Sequence, residues 1–260
     1  MRGSVSALII ALSISVLASP IEAASGGHVE GYVPAVAHGK GRLGSFWTSD
    51  LWIYHQGATV IHLWLNPPGQ DNTDGVSVTV ALDEPVVFIP DVVETLFGTG
   101  GSGSLHYIAD GPVTVTSRTW TPGKDGGSYG LTLPGEPVGS ASFAGSGQAG
   151  TVRAVVNQRS GFRANFGVVN VSPVAITVLV EIFTADGNPA PGDSSFTLGL
   201  EPFGMTQVND VLKRLTGGER DGLIIRAGVT SDEGAILSYV TDIDNTTNDS
   251  SYQAGFRFFN

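Results

Sequence analysis

Five histidines, an oxygen-rich loop and a glycine-rich turn are the places in this chain whose residue types could do chemistry. His28, His38, His55, His62 and His106 all fall in the first half. Three imidazoles meeting at one point can hold a metal. His55 and His62 flank the short segment Gln56-Gly57-Ala58-Thr59, and no carboxylate stands at a ligand spacing on the same stretches. Solvated or partly packed histidines are therefore expected. The second half contains no histidine, so a duplicated histidine-based active site is excluded. Asp242-Ile243-Asp244-Asn245-Thr246-Thr247-Asn248-Asp249 opens like an EF-hand loop, with Asp at the first and third positions. It then has Thr247 where glycine is required and Gln253 where the bidentate Glu belongs. A polar turn is expected there, with calcium the alternative, since a calcium site in a sandwich loop need not match the EF-hand pattern. Gly39-Lys40-Gly41-Arg42-Leu43-Gly44 has the spacing of a dinucleotide fingerprint. That chemistry needs a helix to begin at the glycines, so that its amides face a pyrophosphate. The next residues, Phe46 to Trp52, read instead as a strand, and a glycine-rich connection is expected.

The chain has no cysteine, which removes thiol catalysis, iron–sulfur clusters and the usual structural zinc sites. No Ser/His/Asp order stands out. Neither a cofactor nor an enzymatic activity is expected. The feature with most functional content is aromatic. If Leu51 and Ile53 point inward, Trp52 and Tyr54 point outward. If Ile61, Leu63 and Leu65 point inward, His62 and Trp64 point outward. Joined by a tight hairpin, the two strands would be neighbours, and Trp52, Tyr54, His62 and Trp64 would form one cross-strand patch. Such a patch binds sugars by stacking or packs on another protein surface. The competing expectation is that it is covered by the rest of the chain.

The elements that must position these residues occur twice. Val33-Pro34-Ala35-Val36-Ala37 returns as Val152-Arg153-Ala154-Val155-Val156, and Asp91-Val92-Val93-Glu94-Thr95-Leu96-Phe97-Gly98 returns as Asp210-Val211-Leu212-Lys213-Arg214-Leu215-Thr216-Gly217. Between them Asp50-Leu51-Trp52-Ile53 matches Asn165-Phe166-Gly167-Val168, and Ser128-Tyr129 matches Ser251-Tyr252. The copies are roughly 120 residues apart, far beyond the roughly 20 to 50 of a solenoid unit, so a whole domain is duplicated. Repeat one covers 32–133 and repeat two 151–255, with a Gly/Ser-rich stretch at 134–150 expected to be a flexible linker. In the second copy the aromatic positions become Gly167, Val169, Leu179 and Glu181. Apolar residues alternate with period two, and Pro67-Pro68-Gly69, Asp74-Gly75, Pro122-Gly123 and Asp186-Gly187 mark turns. Short strands at regular spacing argue an all-β protein of antiparallel β-sandwiches. One short helix is expected in each copy, with Asp91 and Asp210 as N-caps and Gly98 and Gly217 as stops.

Phe46-Trp47-Thr48-Ser49-Asp50-Leu51-Trp52-Ile53, the segment Asp91 to Gly98, and Ala109-Asp110-Gly111-Pro112-Val113-Thr114-Val115-Thr116-Ser117-Arg118-Thr119 together resemble tandem β-sandwich repeats of exported bacterial proteins of uncharacterised function. The resemblance spans nearly the whole chain after its first residues. It implies immunoglobulin-like sandwiches and a bacterial exported setting, and it implies no catalytic residues.

Residues 1–23 read as a secretory signal: Met1-Arg2, an apolar run from Ala7 to Leu17, and Ile21-Glu22-Ala23 at the cleavage edge. The run is shorter than the roughly 20 residues a membrane-spanning helix needs, so no membrane insertion is expected. The net charge is −11, with only 13 Lys and Arg, which makes nucleic acid a poor partner. The expectation is a secreted or periplasmic, non-enzymatic structural or interaction module. Its partner would be an extracellular protein or a polysaccharide, and the alternative role is a carbohydrate-binding module using the repeat-one aromatic face.

Overall fold

Alternating apolar residues become strands throughout the computed structural model of the chain, which describes residues 28–41, 44–123, 126–144, 151–247 and 249–257. The first half comprises β1 (Val29–Lys40), β2 (Phe46–His55), β3 (Val60–Asn66), β4 (Ser77–Ala81), β5 (Val86–Ile89), helix α1 (Val92–Phe97), β6 (Gly101–Ala109), β7 (Val113–Pro122) and β8 (Ser128–Pro134). A bridging segment holds β9 (Glu136–Pro137), a 3-10 turn (Val138–Ser140) and β10 (Ser142–Phe143). The second half comprises β11 (Thr151–Gln158), β12 (Phe162–Asn170), β13 (Ile176–Phe183), β14 (Ser195–Leu200) and β15 (Met205–Val208). A 3-10 turn (Val211–Arg214), β16 (Arg220–Val229), β17 (Ala235–Asp244), β18 (Ser250–Ala254) and β19 (Phe256–Arg257) complete it.

The protein is all-β with antiparallel sheets. In the first half β4-β3-β6-β1 form one sheet and β5-β2-β7-β8 the other, stitched by a short β1–β2 pairing at Gly39↔Trp47. The second half repeats this order as β14-β13-β16-β11 and β15-β12-β17-β18. Each half has its own core between its sheets. Leu51, Ile53, Ile61, Leu63 and Leu105 fill the first, and Phe166, Val168, Val178, Val180 and Ile225 the second. Each such side chain, fully removed from water, contributes about 1.5–3 kcal/mol.

Three sequence expectations are corrected here. Trp52 and Trp64 do not sit on a hairpin. β2 pairs with β5 and β7, whereas β3 pairs with β4 and β6. The connection Gln56–Thr59 crosses from one sheet to the other, with Ala58 buried as it passes.

Second, Asp91 and Asp210 are not side-chain N-caps. Both adopt left-handed backbone, φ 43° and 54°, with no side-chain cap bond. Each backbone N–H is instead captured from the neighbouring sheet, by Asp50 Oδ1 at 3.0 Å and by Asn165 Oδ1 at 2.9 Å. The duplicated Asp50/Asn165 position therefore stabilises a bend that Asp tolerates better than most residues. Gly98 ends α1 in left-handed conformation as expected, but in the second half the 3-10 turn stops at Arg214, ahead of Gly217.

Third, 134–150 is not a free linker in its described part. Glu136 and Pro137 pair with β1, Ser142 and Phe143 pair with β17, and Ala141 and Ser142 are fully buried. The segment adds a strand to each half. The candidate leader 1–23 lies outside the described residues, and no described helix is long and apolar enough to cross a membrane.

The Ala109–Pro112 motif has a local structural duty. Asp110 accepts bonds from Thr59 N, Thr59 Oγ1 and Val60 N at 2.8, 2.5 and 3.1 Å, tying the β6–β7 turn to the start of β3. Those donors hold its carboxyl down at about 2.

Candidate functional site

The outer face of β5-β2-β7 carries half of the expected aromatic patch. Leu51 and Ile53 point into the core with no exposure, so Trp52 and Tyr54 point out. Trp52 is paired in register with Phe88 and Tyr54 with Val86 on one side, and with Thr116 and Thr114 on the other. The Trp52 and Phe88 rings lie 4.9 Å apart, tilted by 32°. Tyr54 is 44% exposed, Phe88 51% and Val86 52%, so this is an open apolar face with polar flanks. Tyr54 Oη accepts a bond from Gln56 Nε2 at 2.7 Å. Midway along β2, two residues before Trp52, Asp50 Oδ2 accepts the Trp120 indole N–H at 2.8 Å, with the Arg118 guanidinium 5.8 Å from the Trp120 ring.

His62 and Trp64 lie on the outer face of the other sheet, and their surroundings differ. Trp64 stacks on His106 at 5.0 Å, and His106 stacks on Tyr32 at 4.4 Å with the planes 6° apart. Phe203, from the β14–β15 connection of the second half, approaches the same imidazole at 6.1 Å. It adopts φ 51°, a conformation unusual for an aromatic residue. Alongside, Asn72 N donates to Pro202 O at 3.0 Å, and Asn72 Nδ2 reaches Phe203 O at 3.4 Å. The Trp64 side is therefore part of the seam between the halves. Burial holds the His106 imidazole below its ordinary pKa, against an opposing hydrogen bond to Glu30 at 2.9 Å. His62 bonds Thr79 Oγ1 at 2.9 Å.

The second half uses the register-equivalent of the Trp52 face differently. Gly167 replaces Trp52, Val169 replaces Tyr54, and Gln207 and Met205 replace Phe88 and Val86. Tyr239 stands where Thr116 stands, and its ring lies over Gly167; a Cβ at that glycine would meet Tyr239 Cζ at 2.0 Å. Tyr239 Oη donates to Gln207 Oε1 at 2.9 Å, and burial pushes the phenol pKa upward. Val169, Met205 and Leu237 form a buried cluster with Tyr32 of the first half and Ala141 of the bridging segment. Apart from Gln207, which stays exposed at the Phe88 position, this face is closed in the second half and open in the first.

The remaining motifs have structural roles. Asp244 Oδ1 accepts from Thr246 N and Thr247 N at 2.6 and 3.2 Å, an Asx-type turn that closes β17 onto β18. His38 Nδ1 bonds Asp91 Oδ2 at 2.7 Å, and His55 Nε2 bonds Glu84 O at 2.8 Å. Among the described residues no group of three His, Asp or Glu side chains is placed to hold a metal. β1 runs through Gly39 and Lys40 into a turn closed by Gly41 N to Ser45 O at 2.8 Å, and the chain then enters β2 rather than a helix. The chain also carries the nucleophile-elbow spacing at Gly126-Gly127-Ser128-Tyr129-Gly130. That chemistry needs a strand-to-helix turn, whereas Ser128 opens a strand and its Oγ accepts from Arg118 Nη2 at 2.6 Å.

Phe88 and Val86 belong to the open face although no motif marks them. Val86-Val87-Phe88-Ile89 alternates, and with Ile89 buried its parity points Phe88 outward.

No protein-family model matches the chain, and no curated protein matches it. Among solved structures it is similar to a lectin from Pleurotus ostreatus in complex with GalNAc, at 9% identity over 87% of this chain and 85% of that one, with a TM-score of 0.25. It is also similar to the apo form of the Pleurotus ostreatus lectin, at 8% identity over 92% and 80%, again with a TM-score of 0.25. Likeness at that level carries no argument about this chain.

Proposed function

We propose that the chain is an exported, non-enzymatic interaction module made of two tandem immunoglobulin-like sandwiches, and that its partner surface is the Trp52–Tyr54–Phe88–Val86 face of the first. The leader-like residues 1–23 support export, and a core enclosed between antiparallel sheet layers in each half supports the immunoglobulin-like reading. The observation that carries the binding surface is internal. In the second half the equivalents of Tyr54 and Val86, Val169 and Met205, are buried against Tyr32 and Ala141, with Gln207 left exposed at the Phe88 position, while the first half presents its copy open and aromatic. A sheet face that this scaffold already buries against protein in one copy is suited to do so in the other. Its occupant is therefore read as a surface of another extracellular protein.

A second reading has its own support. Trp52 and Phe88 form a side-by-side ring platform, with Gln56, Thr114 and Thr116 at its edges, which suits stacking of a sugar ring.

Both readings are tested with Trp52→Ala and Phe88→Ala. Binding to extracellular partners by cross-linking, and to polysaccharides on a glycan array, should fall for both variants, while the thermal midpoint moves little. If the midpoint collapses and binding falls with it, the face is a fold element and the assignment is wrong.

A further inference from the structure

The seam between the halves is an interface whose two sides both occur a second time in the chain. On one side, a row in register across four strands runs Trp64–His106–Tyr32–Glu136. The second half lies on that row. Phe203 approaches the His106 ring at 6.1 Å, Val169, Met205 and Leu237 cluster with buried Tyr32, and Tyr252 Oη donates to Glu136 Oε1 at 3.4 Å.

The second half repeats the row. β19 takes on β11 the place that β9 takes on β1. The glycines that lead into these strands are bonded alike, Gly135 N to Val115 O at 2.8 Å and Gly255 N to Ser238 O at 2.7 Å. The equivalent row is Glu181–Arg226–Arg153–Phe256. Phe256 is 55% exposed and the Arg226 side chain 38%. The first half repeats the other side of the seam. Tyr54, Val86 and Thr114 stand where Val169, Met205 and Leu237 stand, and all three are exposed.

The replacements on the two sides are complementary in charge. At the registers of His106 and Tyr32 the second half has Arg226 and Arg153, directly opposed, with Glu181 accepting from Arg226 Nε at 3.0 Å. Two opposed cations favour a further anion beside them. On the other side, Asp83-Glu84-Pro85 takes the place of the loop that carries Phe203. His55 N bonds Pro85 O at 3.2 Å as Asn170 N bonds Gly204 O at 2.8 Å, so Glu84 precedes β5 as Phe203 precedes β15. Asp83 and Glu84 are both exposed. Where the internal seam sets a phenyl ring against an imidazole, its repeat would set a carboxylate against a guanidinium. Such a contact overcomes the repulsion between copies of a chain of net charge −11.

We propose that the chain assembles head to tail. The Glu181–Arg226–Arg153–Phe256 row of one copy docks on the Trp52–Tyr54–Phe88–Val86 face of the next, and Glu84 pairs with Arg226 across the contact. The inference rests on reading that face as a protein-binding surface, and it names the partner as a second copy of the chain. The contact is heterologous, so each added copy presents a new row or a new face and the assembly can propagate.

Sedimentation velocity of the full chain as exported tests this. The average mass should rise with concentration past that of a dimer and return to the monomer on dilution. Glu84→Arg and Arg226→Glu should each weaken association about tenfold. Mixed in equal amounts, the two variants should associate again, because every contact between them joins opposite charges. Glu84 lies in an exposed loop, so its variant stays folded even if Arg226→Glu disturbs β16, and Arg226→Gln then removes the charge more gently. A monomer at all concentrations would overturn head-to-tail assembly, while cross-linking of the Trp52 face to other extracellular proteins would still decide the reading of that face. A complex that stops at a dimer and ignores Arg226→Glu is a face-to-face contact and would also overturn it. Failure of the two folded variants to associate on mixing would overturn the pairing of Glu84 with Arg226.

Discussion

The two halves build like cores, each its own, and differ on one outer face. On that face the first half sets a large residue on β2 against a small one on β7, Trp52 across from Thr116. The second reverses the pair, Gly167 across from Tyr239. The exchange keeps the sheet filled while changing what it shows. Trp52 stands beside Phe88 on an open surface, whereas Tyr239 lies over Gly167 with no exposure, stacked on Tyr252. A duplicated scaffold has thus assigned one copy of the face to internal packing and left the other available. Core residues cannot diverge this way, because each half must still exclude water from between its own sheets.

The asymmetry is most sharply broken at Gly167. Gly167→Ala places a methyl against a ring that is fully buried and cannot swing out, and should cost about 3 kcal/mol in denaturant unfolding. Trp52→Ala at the equivalent position should cost only about 1 kcal/mol, because the ring is half-buried and its ring partner is Phe88 on an open face. Equal costs would mean that the two faces are not used differently.

Phe203→Ala removes the ring that the second half lays against His106, and should cost about 2 kcal/mol. Phe88→Ala, on the open face, should cost much less. Unfolding curves of the two variants compare seam and surface directly, and a larger loss at Phe88 would reverse the assignment.

The shared bend offers a comparison in which the halves should behave alike. Asn165→Ala leaves the Asp210 N–H without its acceptor and should cost about 1 kcal/mol. Asp50→Ala should cost somewhat more, since Asp50 also accepts the Trp120 indole N–H. Asp50→Asn keeps one acceptor oxygen for the Asp91 N–H but sets an amide NH2 against the Trp120 indole N–H, so it should cost about 1 kcal/mol, less than Asp50→Ala. A loss as large as that of Asp50→Ala would show that the bond to the Trp120 indole N–H outweighs the bond to the Asp91 N–H.

The smallest effect is one of pH. Burial lowers the pKa of His106 in the folded chain, whereas an unfolded histidine titrates near about 6.5. Protons therefore favour the unfolded state, so the stability is present above that pH and declines as pH falls below it. Thermal midpoints should drop between about pH 7.5 and about pH 5.5, and His106→Gln should reduce the drop. An unchanged drop would show that His106 is not its source.

Much of this architecture was legible in the residues. Period-two alternation put Leu51, Ile53, Ile61 and Leu63 inside and Trp52, Tyr54, His62 and Trp64 outside, because parity along a strand is local. Which sheet a strand joins is not local. Gln56–Thr59 is short enough for a hairpin and equally short enough to cross between sheets, so the aromatic quartet read as one patch is two. Asp91 and Asp210 look like caps in one dimension. Their left-handed backbone and their acceptors on β2 and β12 exist only once the sheet is assembled. The closure of Tyr239 over Gly167 was hidden for the same reason, since the partners lie on strands far apart in sequence.

The central claim is that this face is open in the first half and closed in the second, and hydroxyl-radical footprinting of the intact chain tests it most directly. Tyr54 and Phe88 should be labelled readily, while Tyr239 and Met205 should be protected until the chain unfolds. Comparable labelling of Tyr239 and Tyr54 under native conditions would contradict the account, as would protection of Tyr54 and Phe88 in the isolated chain.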